Sequence, residues 1–135
     1  MKKFTAVLLS CVLVILSISN VALAAGGTSP AVTPRWINTT SLSGNINYDG
    51  YIGNISIFLD GNVNVTRITA TARLYYMVTE DWWEEIPMNW DYDVTTTALG
   101  IDEDFPITTG TIYKIVFEAQ VYANGYAETI TRVFR

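Results

Sequence analysis

Two alternating apolar runs flank Ala123-Asn124-Gly125 near the end of the 135-residue chain, and no other stretch limits the fold as tightly. Asn-Gly between such runs is the strongest short-range signal for a β-hairpin. In the first run Tyr113, Ile115, Phe117, Ala119 and Val121 share one face, because strand side chains alternate with period two. Lys114, Glu118 and Gln120 fall on the other. A half-buried antiparallel strand follows.

Charge predicts the register. A two-residue loop sets Val121 opposite Glu128 and Phe117 opposite Arg132, turning both charges toward the core, where an unpaired charge is costly. A three-residue loop, Ala123-Asn124-Gly125, pairs Tyr122 with Tyr126 and turns every side chain over. Ala127, Thr129, Thr131 and Val133 then face inward, and Glu128 and Arg132 meet water. The three-residue loop is the expectation.

Residues 1–24 read as a secretory signal. Lys2 and Lys3 form the basic start, Phe4 to Ile18 the apolar run, and Ala22-Leu23-Ala24 an A-x-A cleavage site. An uncleaved anchor is the alternative, since a span needs about 20 apolar residues and Thr5 to Ala25 carries no charge. Cleavage removes Cys11, the only cysteine, and leaves a disulfide-free, acidic chain with six basic residues against 13 acidic ones. That balance argues against nucleic acid and anionic membrane as partners. Residues 25–35, with two prolines among small residues, read as a flexible linker.

From residue 36 to 135 the chain is one domain of short strands with turns between. Trp36 to Ile46 is a first strand, ending at Asn47-Tyr48-Asp49-Gly50. Ile55, Ile57 and Leu59 alternate before Asp60-Gly61-Asn62. Ile68, Ala70, Ala72 and Leu74 face one way, Arg67, Thr69, Thr71 and Arg73 the other. Strands at Trp82–Ile86 and at Trp90–Val94 follow, with Pro87 marking an edge or a break. Ala98 to Pro106 reads as a loop. About seven strands at such spacing predict an all-β, antiparallel immunoglobulin-like β-sandwich. Tyr113, three residues after Gly110, occupies the place of a tyrosine corner, whose hydroxyl bonds back to the preceding turn.

The strand over 67–78, the tryptophans after it and GTIYKIVFEAQVYANGYAETIT resemble immunoglobulin-like or fibronectin-III-like sandwiches of secreted bacterial proteins. A signal peptide before one such domain is similar, more narrowly, to small exported proteins of Firmicutes. The resemblance covers residues 36–135 and implies architecture, with no catalytic residues to carry over. The two cysteines of true immunoglobulin domains are missing, so packing alone joins the sheets.

The absence of histidine, with no cysteine after cleavage, excludes Ser-His-Asp and Cys-His catalysis and zinc fingers. No cofactor is expected. Lys114 is expected on a solvent face with an ordinary amine. Asp91 and Asp93 would share a face roughly 6–7 Å apart, a separation compatible with glycoside hydrolysis. A domain this small has little wall for a polysaccharide cleft, so the pair reads as solvated edge charge that discourages strand-to-strand aggregation. Asn45-x-Asn47-x-Asp49-Gly50 matches half a calcium loop, but its twelfth position is Ser56, and it reads as a turn.

Glu80 to Asp104 carries nine of the 13 acids, no Lys or Arg, and three of the four tryptophans. Trp82 and Trp83 must point opposite ways on a strand, so at most one joins the core. The other is exposed, or packs on Tyr75 or Tyr76 across the hairpin. If the domain binds a specific ligand, Trp82, Trp83, Trp90 and Tyr92 with Asp91 and Asp93 are the expected surface, and the ligand is neutral or cationic. Asp102, Glu103 and Asp104 are a weak candidate for a calcium bridge. The expectation is a secreted, non-catalytic module that binds a protein or glycan of the cell surface and is released or loosely wall-associated. A structural envelope protein without a specific ligand, and a small carbohydrate-binding or glycoside-acting domain using the tryptophan-rich acidic hairpin, are the alternatives.

Overall fold

The computed structural model describes residues 36–135; the signal and linker expected over 1–35 lie outside the described residues. The described residues form seven strands and no helix: β1 (Thr39–Asp49), β2 (Ile52–Gly61), β3 (Val65–Thr79), β4 (Trp82–Val94), β5 (Ala98–Pro106), β6 (Tyr113–Ala123) and β7 (Tyr126–Phe134). They pair antiparallel into two sheets, ordered β1-β2-β5 and β4-β3-β6-β7. The expected immunoglobulin-like sandwich is what forms. β4 stays beside β3 instead of joining β5, which sets the division at three strands and four.

Alternation builds the core. Ile55, Ile57 and Leu59 of β2 and Leu99, Ile101 and Phe105 of β5 face Ile68, Ala70, Ala72 and Leu74 of β3 and Ile115, Phe117 and Val121 of β6. Each large side chain so buried contributes about 1.5–3 kcal/mol. Two glycines admit aromatic rings. A Cβ on Gly44 would stand 2.8 Å from the Phe134 ring, and one on Gly53 would collide with Phe105. The tyrosine corner is present: Thr108 N–H donates to Tyr113 Oη at 2.8 Å, with the buried ring edge-on to Phe105 at 5.4 Å.

The turn expected over Asn47–Gly50 is shorter, since β1 stays paired with β2 through Asp49 and the chain reverses at Gly50-Tyr51. Three further expectations need correction. The β6–β7 loop has two residues, with Ala123 paired to Tyr126. Asn124 (φ 52°) and Gly125 (φ 81°) are both left-handed, the type I′ conformation whose twist matches the strands it joins. Val121 therefore lies opposite Glu128 and Phe117 opposite Arg132, the arrangement that charge seemed to forbid. It holds because β7 is an edge strand. Glu128 accepts from Ile37 N–H, Asn38 N–H (3.1 Å) and Thr39 Oγ1 (2.9 Å), and Arg132 reaches solvent. In exchange Ile130 and Phe134 enter the core.

The second correction is Ala98–Pro106, which is strand β5 and not a loop. The third is the stretch over 82–94, a single strand β4. Its register with β3 shifts between Arg73 and Tyr75, where Ile86-Pro87-Met88 stand opposite Leu74 alone and form a bulge, with Ile86 and Met88 against the core.

Candidate functional site

The outer face of the four-stranded sheet carries the candidate site. Register puts Asp93–Thr69–Gln120–Thr129 in one row across β4, β3, β6 and β7, and Asp91–Thr71–Glu118–Thr131 in the next. Threonines on β3 and β7 are short beside Glu118 and Gln120 and beside the aspartates. The difference in reach leaves an open trough of about 580 Å³ lined by these eight side chains.

Each trough carboxylate has its own donors. Arg67 grips Asp93 with two bonds, Nε at 2.8 Å and Nη2 at 2.6 Å, which holds that carboxyl below its ordinary range. Asp91 accepts from Thr71 Oγ1 at 2.6 Å and Asn89 Nδ2 at 2.9 Å. Glu118 pairs with Arg73 at 2.8 Å. Beyond the trough Arg67 lies 5.5 Å from the Tyr122 ring, whose hydroxyl donates to Gln120. The face therefore presents oriented hydroxyls, an amide and carboxylates that already have hydrogen-bond donors within the sheet.

Farther along the same face, Glu85, Tyr75 and Lys114 form a row, with Trp83 opposite Met77 beside it. The Lys114 ammonium stands 4.3 Å from the Trp83 ring centre and 5.4 Å from that of Tyr75, and Arg135 lies 5.3 Å from Trp83. Lys114 is not the ordinary surface amine expected. Desolvation, with repulsion from Arg135, pushes its ammonium below the usual lysine range.

The six residues singled out as a surface do not form one. Asp91 and Asp93 line the trough, and Trp83 lies on the same face under its two cations. Trp82, 64% exposed, sits at the hairpin turn. Neither tryptophan joins the core; Lys114 occupies the cross-strand space where Trp83 was expected to meet Tyr75. Trp90 and Tyr92 pair with Ala72 and Ala70 and turn to the opposite face, half-buried against the core. Tyr92 Oη donates to Glu103 at 2.8 Å, and burial with that bond pushes its pKa well above the ordinary tyrosine range.

Asp102, Glu103 and Asp104 do not converge on a cation. They lie on consecutive residues of β5, so Glu103 points inward to Tyr92 while Asn54 Nδ2 donates to Asp102 at 2.7 Å and Asp104 at 2.9 Å. Among the described residues no cluster of acids fits a metal. A second groove, bordered by Ile37, Ala123, Tyr126 and Ala127, is apolar, and its carboxylate, Glu128, already serves the chain's own backbone.

Thr69, Thr71, Glu118 and Gln120 were legible as outward-facing but lay far in sequence from Asp91 and Asp93. Thr129 and Thr131 were lost to the wrong register; an inward Ile130 between them was the signal that would have recovered them. No family model matches the sequence, and no curated protein is similar to it.

Proposed function

We propose that this is an exported, non-catalytic binding module that takes a hydroxyl-rich ligand, a cell-surface glycan, on the outer face of its four-stranded sheet. The trough carries this reading: threonine hydroxyls, Gln120 and prepaired carboxylates offer donors and acceptors at strand spacing, unlike the mainly apolar lining of a drug-like pocket. Arg67 holds the Asp93 carboxyl below its ordinary range, so Asp93 is not suited to be the protonated acid of a hydrolytic pair. The residues of the trough bond to one another across strands, so the face is organised before any ligand arrives and ordering costs little.

The test is a glycan and cell-wall polysaccharide array probed with wild type, Thr71→Val and Gln120→Ala. Binding by wild type that both substitutions weaken is the expected result. Retained binding in both, with loss only in Trp82→Ala, would move the site to the hairpin turn. Hydrolysis products that vanish in Asp91→Asn would make the protein an enzyme.

A further inference from the structure

The end of this face beside Trp83 has an electrostatic anomaly. All 13 acidic residues lie in the described domain, and Arg67 and Arg73 each find one. Lys114 and Arg135 find none within ion-pair distance, yet both stand over the ring of Trp83. Glu85, in the same row, accepts instead from Tyr75 Oη at 3.1 Å. Two like charges are held on one indole; desolvation first, and repulsion from Arg135 after it, lower the Lys114 ammonium. In a strongly acidic chain that arrangement has no structural gain from charge pairing. A bound anion removes the repulsion, and a planar carboxylate suits an Arg–Lys pair.

The rest of the face limits what carries that carboxylate. Glu118 lies four residues from Lys114 on β6, roughly 13 Å at strand rise; Asp91 shares its row and Asp93 stands one row farther. A ligand charged at every repeat meets these acids. A ligand with one carboxylate and hydroxyls beyond it does not.

Resting on the glycan reading above, we propose that Lys114, Arg135 and Trp83 form a carboxylate subsite, and that the ligand is a glycan bearing a sparse or terminal uronic acid with neutral sugars over the threonine trough. The expectation of a neutral or cationic ligand came from the net charge of the segment over 80–104; at this end of the sheet two cations stand on the Trp83 ring.

The experiment titrates the full chain, by calorimetry and tryptophan fluorescence, with three probes. These are a neutral β-linked hexotetraose, the same oligosaccharide with its terminal hexose oxidised at C6 to a uronate, and a polymer oxidised at every residue. The single uronate binds about tenfold or more tighter than the neutral probe, as one charge-assisted contact provides. Lys114→Gln and Arg135→Gln each erase that difference, so that the two probes bind alike, while Lys114→Arg retains it. Equal affinity for the first two probes, with Thr71→Val weakening both, overturns the subsite and leaves the glycan face standing. Tighter binding of the fully oxidised polymer overturns the sparse-charge assignment. If no oligosaccharide binds but free glucuronate still quenches the fluorescence of wild type and not of Lys114→Gln, the subsite stands and the glycan face falls. Silence of all probes overturns both.

Discussion

Glu128→Ala tests the register of the C-terminal hairpin, because the two possible registers give the substitution opposite weights. With Ala123 paired to Tyr126, the Glu128 carboxylate takes three donors from Ile37, Asn38 and Thr39 and fastens the chain's entry into β1. A hydrogen bond to a charged group contributes about 1.5–3 kcal/mol net. Ile37 is 83% exposed, so its N–H recovers water when the carboxylate is removed, and the three bonds share one acceptor group. The expected loss is therefore about 2 kcal/mol, less than a sum of three. For a domain of this size it lowers Tm by about 8–16 °C. Glu128→Gln keeps one acceptor oxygen and loses the charge, so it falls about midway. Urea unfolding followed by far-UV circular dichroism gives both values. Had the three-residue loop formed, Glu128 would face water, and either change would stay within about 0.5 kcal/mol. A result that small refutes the latch and the register together.

The tyrosine corner predicts that Tyr113→Phe, which keeps the ring against Phe105 but gives up the acceptor for Thr108 N–H, costs about 1–2 kcal/mol in the same unfolding experiment. Gly53→Ala forces a methyl into the Phe105 ring and costs about 1–3 kcal/mol; Gly100→Ala, with nothing nearer than Phe58 at 4.0 Å, is the near-neutral control. Tyr92, Tyr75 and Tyr76 each have a raised pKa, from burial at Tyr92 and Tyr75 and from the bond to Glu84 at Tyr76. Their contribution to stability is full below about pH 10, where unfolded tyrosine begins to ionise, and falls as pH rises toward the folded values. Thermal melts across pH 8–12 should show that alkaline decline, and Tyr92→Phe should lessen it; a decline unchanged in Tyr92→Phe would place its cause elsewhere.

Most of the sandwich was legible because its inner positions are apolar at period two. Ile55-x-Ile57-x-Leu59, Ile68-x-Ala70-x-Ala72-x-Leu74 and Tyr113 through Val121 all enter the core as alternation predicts. The count of seven strands was also right, but for a mixed reason. β4 was divided at Pro87, where the bulge leaves an edge strand continuous, and β5 was missed altogether. β5 does alternate, with Leu99, Ile101 and Phe105 inward, yet Glu103 occupies the inward position between Ile101 and Phe105 and hides the pattern in an acidic run. The candidate site was half legible. Asp91 and Asp93 share a face as spacing requires, whereas the aromatic residues were grouped by nearness in sequence, and alternation sends Trp90 and Tyr92 to the other side.

Two of the failures of fold prediction trace to an inward carboxylate, and they share a cause. Excluding charge from the inner face holds where that face is covered on every side. Glu103 and Glu128 lie on β5 and β7, the edge strands of their sheets, where the covering layer ends and a side chain reaches donors from another part of the chain. Glu103 takes the hydroxyl of Tyr92 from the opposite sheet, and Glu128 takes two backbone N–H groups and a threonine hydroxyl from the segment entering β1. Each carboxylate thus joins pieces that apolar packing leaves unconnected at the rim. In a domain without a disulfide, those bonds tie edges to the body of the fold. They also break the very alternation by which edges are recognised in sequence. The same property applies to the outer face: Asp91, Asp93 and Glu118 looked like solvated charge because their partners, Thr71, Arg67 and Arg73, become neighbours only once β4, β3 and β6 are in register.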